Sequence, residues 1–318
     1  MNLFFKRIFD FIKQHPLRYL ASLILMMVSS IAVIYPARII GQVVDQIVNG
    51  TLTAEWLVSQ LVVLVGVIAV AYAAESAWTY MIFIGYYEIQ HELRVRLLRN
   101  NLLKKIPFYA HFRTGDIITR SSEDVSTMGE VMGFGTYATL NSSFMLIVTL
   151  SMMITTVSLP LTIAALVPMP ILSYFVYKWG YEVEKEYSKS QAAVSELNNE
   201  VLEMIDGNYV VRAYGQEEAM VGAFREKTEA AMKKNIRVGE LDSRFMPLAE
   251  FVAMLSFVIG ISYGGYLVSQ GVIQVGDVIA FQVYMGSIMW PIFMLGDILS
   301  TYKRGKVASS RIQELEDY

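Results

Sequence analysis

The residues able to do chemistry here are ionisable or polarisable side chains set inside long apolar stretches. Glu75, Glu250 and Asp297 are carboxylates in such settings, where charge is costly unless it faces a cavity, a partner or an ion. Counted inward from the stretch ends remote from the basic residues, all three reach a similar depth of roughly 27–30 Å at the helical rise. At that depth they would line an acidic chamber suited to amphipathic cations. Taken singly, each serves as well by capping a helix, pairing with Arg244 or reaching interfacial water. Met254, Met285, Met289 and Trp290 lie on the last two apolar stretches; their adaptable surfaces suit a promiscuous pocket, and equally suit packing or lipid contact. Arg38 and Asp45, near the other end of the first stretch, would help to close a gate there or pair with each other's neighbours. With no cysteine, and with His15, His91 and His111 scattered, neither disulfides nor a metal centre are expected.

The elements that must position these groups follow from charge. All but one of the 26 lysines and arginines fall in four blocks, residues 6–18, 94–120, 178–244 and 303–311, and only Arg38 lies outside them. Between them run the uncharged stretches Tyr19–Ala37, Leu57–Ala74, Val131–Tyr177, Phe251–Gly276 and Val278–Gly296. A bilayer core of about 30 Å takes roughly 20 apolar residues as helix. The third stretch is long enough for two passes with a turn near Ser158-Leu159-Pro160, so six spans are expected. Cytoplasmic flanks gather Lys and Arg, which puts both termini in the cytosol and the chain in a plasma membrane. At 54% hydrophobic and 17% charged, the composition is that of a helical membrane bundle. A net charge of −3 argues against a nucleic-acid partner. Residues 1–16 interleave Lys6, Arg7 and Lys13 with phenylalanine and isoleucine, the pattern of an interfacial elbow helix lying apolar side down, which Pro16 then breaks.

From Leu57 to Lys105 there is no proline, so one helix of about 49 residues is expected, roughly 73 Å long and far longer than the membrane is thick. Lys178–Asn208 and Phe224–Arg244 read as further solvated helices, with Glu229–Lys233 as an i,i+4 pair. In the loop FYAHFRTGDIITRSSED, Pro107 would close the incoming helix and Thr114-Gly115-Asp116 would start a brief lateral one. In the second loop, Asp206-Gly207-Asn208 interrupts the helix, Val210–Gln216 reads as a connector and Glu217–Phe224 as a short amphipathic segment. Shaped tips of this kind favour docking, although solvation of the loop ends by Arg113, Asp116 and Glu217 explains the same charges.

At these residues the sequence resembles the transmembrane domain of ATP-binding-cassette exporters along nearly its whole length. The match is carried by ELRVRLLRNNLLKKIPFYAHFRTGDIITRSSED at Glu92–Asp124, by LNNEVLEMIDGNYVVRAYGQEEAMVGAF at Leu197–Phe224, and by Gly264–Asp317 with its closing RIQELED. The resemblance implies an all-α domain-swapped dimer, with an elbow at 1–16, a six-span domain at 17–311 and a linker beginning at 312–318. Coupling helices near 112–121 and 213–224 would dock on nucleotide-binding domains, with Phe112, Arg113, Thr114, Gly115 and Asp116 on one tip and Ala213, Tyr214, Gly215, Gln216 and Glu217 on the other. Trp290-Pro291 and Gly133-Phe134-Gly135 are similar to one half of the heterodimeric multidrug exporters of Gram-positive bacteria. A G-x-x-x-x-G-K-[ST] phosphate loop is lacking, since Gly305-Lys306 is followed by Val307 and preceded by no matching glycine, and so is a Leu-Ser-Gly-Gly-Gln signature. ATP and Mg are therefore expected on a nucleotide-binding domain outside this sequence, and no cofactor within it. Expected partners are a second transmembrane half, homo- or heterodimeric, the nucleotide-binding domains, membrane lipids, and an amphipathic small molecule or lipid to be exported. The alternative is a motor-free ligand-binding scaffold, receptor or passive channel on the same frame.

Overall fold

The computed structural model describes residues 3–318, and every regular element among them is helical. In chain order these are α1 (Leu3–Gln14), α2 (Pro16–Val48), α3 (Ala54–Leu103), α4 (Ile106–His111), α5 (Thr114–Val157), α6 (Leu159–Leu166), α7 (Pro168–Asp206), α8 (Asn208–Tyr214), α9 (Glu217–Asp242), α10 (Phe245–Ser269) and α11 (Val275–Asp317). Among the described residues, six segments are long and apolar enough to cross a membrane: α2, α3, α5, α6 with α7, α9 with α10, and α11. The six-span expectation holds.

Local chemistry sets the ends. Pro16 occupies the first turn of α2, where its missing N–H is not needed. The Thr53 hydroxyl accepts from the Trp56 N–H at 3.3 Å to start α3, with Glu55 in the first turn. That helix then runs for 50 residues, roughly 75 Å. Extended backbone at Ser158 separates α5 from α6, where the turn was expected. Gln274 and Asp277 form a capping box at the head of α11. Pro36 and Pro291 lie within unbroken helices, whereas Pro168 and Pro170 stand in the first turn of α7 after a break at Val167.

The chain divides into two compact units, Met1–Thr162 with Gly260–Tyr318, and Ile163–Ile259. In the first, α2 packs on α3 and α11 packs on α2 and α5, around Trp78, Ile82, Leu97, Val125, Met132 and Ile312. The Trp78 and Tyr137 rings stack with centroids 4.9 Å apart. Gly41 and Gly276 let α2 and α11 touch backbone to backbone: a Cβ on Gly276 would lie 1.9 Å from the Gly41 carbonyl oxygen. Along α5, π-helical turns at Arg120–Asp124, Val131–Gly135 and Met153–Val157 each rotate the following side chains, a feature common near functional sites.

The elbow corrects one expectation. Phe4 and Phe11 of α1 are buried against the bundle, Phe4 beside Tyr302 and Gly305 and Phe11 beside Gly85, while Phe5 and Phe9 are exposed. Its apolar surface is thus shared between the protein and the surroundings. In the second unit, α7 and α9 pair along their length, tied by Ser190 to Asn235 and by Lys227 to Glu196. Glu229 pairs with Arg225 at 3.4 Å instead of with Lys233; both lie one turn away, and the side chain turns to the N-terminal one.

Candidate functional site at the basic ends of the helices

The first tip is built differently from the sequence expectation. Pro107 does not close α3; it stands in the first turn of α4, the position where proline is tolerated best. The short helix is therefore Ile106–His111, and Phe112 is extended. Residues from Thr114 onward make no separate lateral helix, because they open the continuous α5. Phe112 is buried, Arg113, Thr114 and Gly115 are exposed, and Asp116 is half-buried.

Asp116, Arg120 and Asp124 recur every four residues on one face of α5, and that face meets the last turns of α11. The Arg120 guanidinium contacts Asp116 at 3.0 Å and Glu314 at 2.8 Å, and donates to the Arg311 carbonyl at 2.8 Å. Arg311 reaches back to Asp116 at 3.3 Å and to Asp124 at 3.4 Å. Arg120 also lies over the Phe112 ring, 5.1 Å from its centroid, a cation–π contact. Phe108, His111, Phe112 and Tyr318 form an aromatic cluster beside it, with His111 and Tyr318 stacked at 5.1 Å. Lys104 donates to the Glu316 carbonyl at 3.0 Å, and Arg7 pairs with the Glu316 carboxylate. A hollow of about 500 Å³ opens between this cluster and the charged residues.

These groups lie beyond the apolar part of α5, so their ionisation has a plain physical cause. The hydrogen bond from Arg120 holds the Asp116 carboxyl below its ordinary range, with Arg311 adding to the effect. Burial pushes the Asp124 carboxyl up, against the pull of Arg311 and Arg120. The four-residue spacing was a readable signal of the Asp116–Arg120–Asp124 face. Arg311, Glu314 and Tyr318 had no such signal, since their partners lie about two hundred residues away in sequence.

The second tip belongs to the second unit. Gly207 caps α7, and α8 then occupies most of the stretch read as a connector. Gly215, at φ +61°, turns the chain so that the Gln216 N–H donates to the Val211 carbonyl at 3.0 Å, closing α8 with a left-handed cap. Glu217 does not begin a short segment; it opens the 26-residue α9, its charge set at the favourable helix end. Ala213, Tyr214, Gly215, Gln216 and Glu217 are all exposed.

The residues expected to line an acidic chamber divide. Glu75 is committed within its unit: its carboxylate accepts from the Ser29 hydroxyl at 2.8 Å and from the Trp78 indole N–H at 3.1 Å. Asp297 lines a cavity of about 300 Å³ with Glu130, Phe134 and Arg304. Met285 is buried, Met289 half-buried and Trp290 exposed. Glu250 and Met254 are exposed on the part of α10 that belongs to the second unit. At the opposite end, Asp45 accepts from the Gly276 N–H at 2.6 Å, and Arg38 forms no ion pair or hydrogen bond among the described residues. Gly305-Lys306 lies inside α11, where a Cβ on Gly305 would come within 2.3 Å of Val131. That glycine serves helix packing and offers no phosphate-binding loop.

Comparison with known proteins agrees with this architecture. Over 313 residues the chain is 29% identical to a probable multidrug resistance ABC transporter ATP-binding/permease protein of Bacillus subtilis, covering 98% of this chain and 54% of that protein. It is 30% identical over 315 residues to a multidrug resistance-like ATP-binding protein of Buchnera aphidicola, covering 99% and 54%. An ATP-dependent lipid A-core flippase of Syntrophus aciditrophicus is 22% identical over 320 residues, covering 98% and 52%. The chain thus spans about half the length of these relatives. Residues 19–292 match the family model described as the ABC transporter transmembrane region, and the chain belongs to that family.

Proposed function

We propose that this chain is the membrane half of an ATP-driven exporter of amphipathic compounds, drugs or lipids, working by alternating access. It pairs with a second transmembrane half, and nucleotide-binding domains that carry ATP and Mg dock on its two tips in the cytosol of a bacterium. The printed names of the relatives, multidrug resistance and lipid flipping, support the substrate class. The Trp290-Pro291 and Gly133-Phe134-Gly135 motifs support a heterodimeric partner.

The observation that carries the reading is the pair of tips at the ends of unbroken helices. A motor can move spans at a distance only through stiff elements with two stable arrangements. The 50-residue α3 and the 43-residue α11 have the length and continuity to serve as such elements, and Arg120 ties the start of α5 to the end of α11. Exposed Tyr209 and Tyr214 on the second tip supply a surface of the kind protein partners cover. This chain's own part is to bind, orient and release; phosphoryl transfer belongs to the motor.

Reconstitution tests it. Liposomes holding this chain, its partner half and cognate nucleotide-binding domains should accumulate a fluorescent amphipathic cation only with ATP and Mg. Uptake no greater than the ligand-alone control would sink the exporter reading and favour a motor-free scaffold.

A further inference from the structure

Glu75 interrupts a helix that is otherwise free of charge from Leu57 to Tyr87, and the docking tips do not involve it. Its depth can be gauged from α2, where its hydrogen-bond partner Ser29 lies between Arg18 and Arg38, eleven residues from one and nine from the other. At the helical rise those separations are roughly 16 Å and roughly 14 Å, each about half of a hydrocarbon core of about 30 Å. Glu75 therefore meets α2 near the middle of the bilayer. Counting along α3 from Leu57 gives roughly 27 Å; the gauge along α2 is tighter, because a basic residue marks each end of that run.

An ionised group at such a depth is costly and ordinarily faces a partner or a pathway. Both donors that reach Glu75 are neutral, and both end on the same oxygen. The Ser29 hydroxyl donates to Oε2 at 2.8 Å and the Trp78 indole N–H at 3.1 Å. Oε1 takes no hydrogen bond among the described residues and is not sealed by the bundle. Among those residues no lysine, arginine or histidine pairs with the carboxylate. Asp297 differs, since Arg304 shares its cavity. An aromatic wall adjoins Glu75: Trp78 is fully buried, and the half-buried Tyr137 stacks on it at 4.9 Å. A small inorganic cation asks for about six or more oxygen ligands, which one carboxylate and one serine do not supply. A carboxylate beside an aromatic ring suits an organic cation, whose charge meets Oε1 while its apolar body lies against the ring.

Resting on the exporter reading above, we propose that Glu75 is a specificity-determining residue, the anionic contact for lipophilic organic cations at the middle of the bilayer. Anionic amphiphiles of the same size are turned away by the same charge.

The test uses the intact transporter with its partner half and motor domains, purified in detergent and free of ATP. Equilibrium dialysis compares tetraphenylphosphonium with tetraphenylborate, which have nearly the same size and shape and opposite charge. ATP-driven uptake of a neutral amphiphile by liposomes holding the unaltered protein is followed in parallel and reports on the exporter reading alone. The unaltered protein should bind the phosphonium more tightly than the borate by about tenfold, equivalent to about 1.4 kcal/mol. Glu75→Gln, which keeps an acceptor for Ser29 and Trp78, should erase that preference, and Glu75→Asp should keep part of it. Equal affinity for the two ions in the unaltered protein, or a preference undiminished in Glu75→Gln, overturns the proposal, while continued uptake of the neutral compound leaves the exporter reading standing. A fall of both affinities together in Glu75→Gln overturns it as well, because Glu75 would then serve packing only. If Glu75→Gln does not assemble, Glu75→Asp and Tyr137→Leu take its place, and an unchanged preference in both is fatal.

Discussion

Arg120 is one side chain with three oxygen partners and an aromatic face, and it is only 9% exposed. Solvated ion pairs contribute about 0–1 kcal/mol, and Glu314 is more than half exposed. The buried part of the network matters more, because removing a buried charged partner leaves desolvated groups at a cost of about 1–3 kcal/mol. Arg120→Met should therefore speed hydrogen exchange in residues 106–116 and 311–317 together, while exchange in the apolar part of α3 stays unchanged. Protonation probes the same network. The folded-state pKa of Asp116 is depressed by its bond from Arg120, so its stabilising contribution is complete above the ordinary carboxylate pKa and is lost as pH falls through the folded value. Asp124 is shifted the other way by burial, so falling pH relieves a penalty there. Melting temperatures measured from neutral pH downward should fall less steeply for Asp116→Asn than for the unaltered protein; an identical acid slope would show that Asp116 is not held low.

At the scale of the helix, the contact between Gly41 and Gly276 fixes how near α2 and α11 approach. Gly276→Ala would place a methyl 1.9 Å from backbone that cannot yield, whereas Gly66 has nothing within 4 Å of its missing Cβ. Overpacking of this kind costs about 1–3 kcal/mol. Gly276→Ala should lower the melting temperature measurably, and Gly66→Ala should hold or raise it because alanine favours helix. The spans and the great length of α3 were legible in the sequence because hydropathy and the absence of proline act locally. Helix starts at the tips were not, since Pro107 and Glu217 each fit either side of a boundary and packing chooses. The π-helical turns of α5 have no periodic signature. The depth of Glu75 suggests a chamber wall or a helix cap; its partner Ser29 is a neutral residue on another span, which charge counting does not see.

Over the whole molecule the two tips differ in kind. The first is fastened: Phe108 is 1% exposed, its ring lies 5.0 Å from that of Phe112 and 5.7 Å from that of Tyr318, and Lys104 holds the last turn of α11. The second, in its own unit, presents Tyr209 and Tyr214 at 88% and 77% exposure. Truncating a buried phenylalanine costs about 3–5 kcal/mol, while truncating an exposed tyrosine costs folding almost nothing. Phe108→Ala should thus lower the melting temperature of the assembled transporter and weaken transport only as far as folding is lost. If the second tip docks a motor domain as proposed, Tyr214→Ala should melt normally yet reduce amphiphile-stimulated ATP hydrolysis severalfold, because a docking aromatic contributes about 1–2 kcal/mol or more to an interface. Melting curves and stimulated ATPase measured on both variants separate the two roles. Normal stimulation in Tyr214→Ala would remove the second tip from the docking surface, and the force would then have to enter through α4 and the charged end of α11 alone.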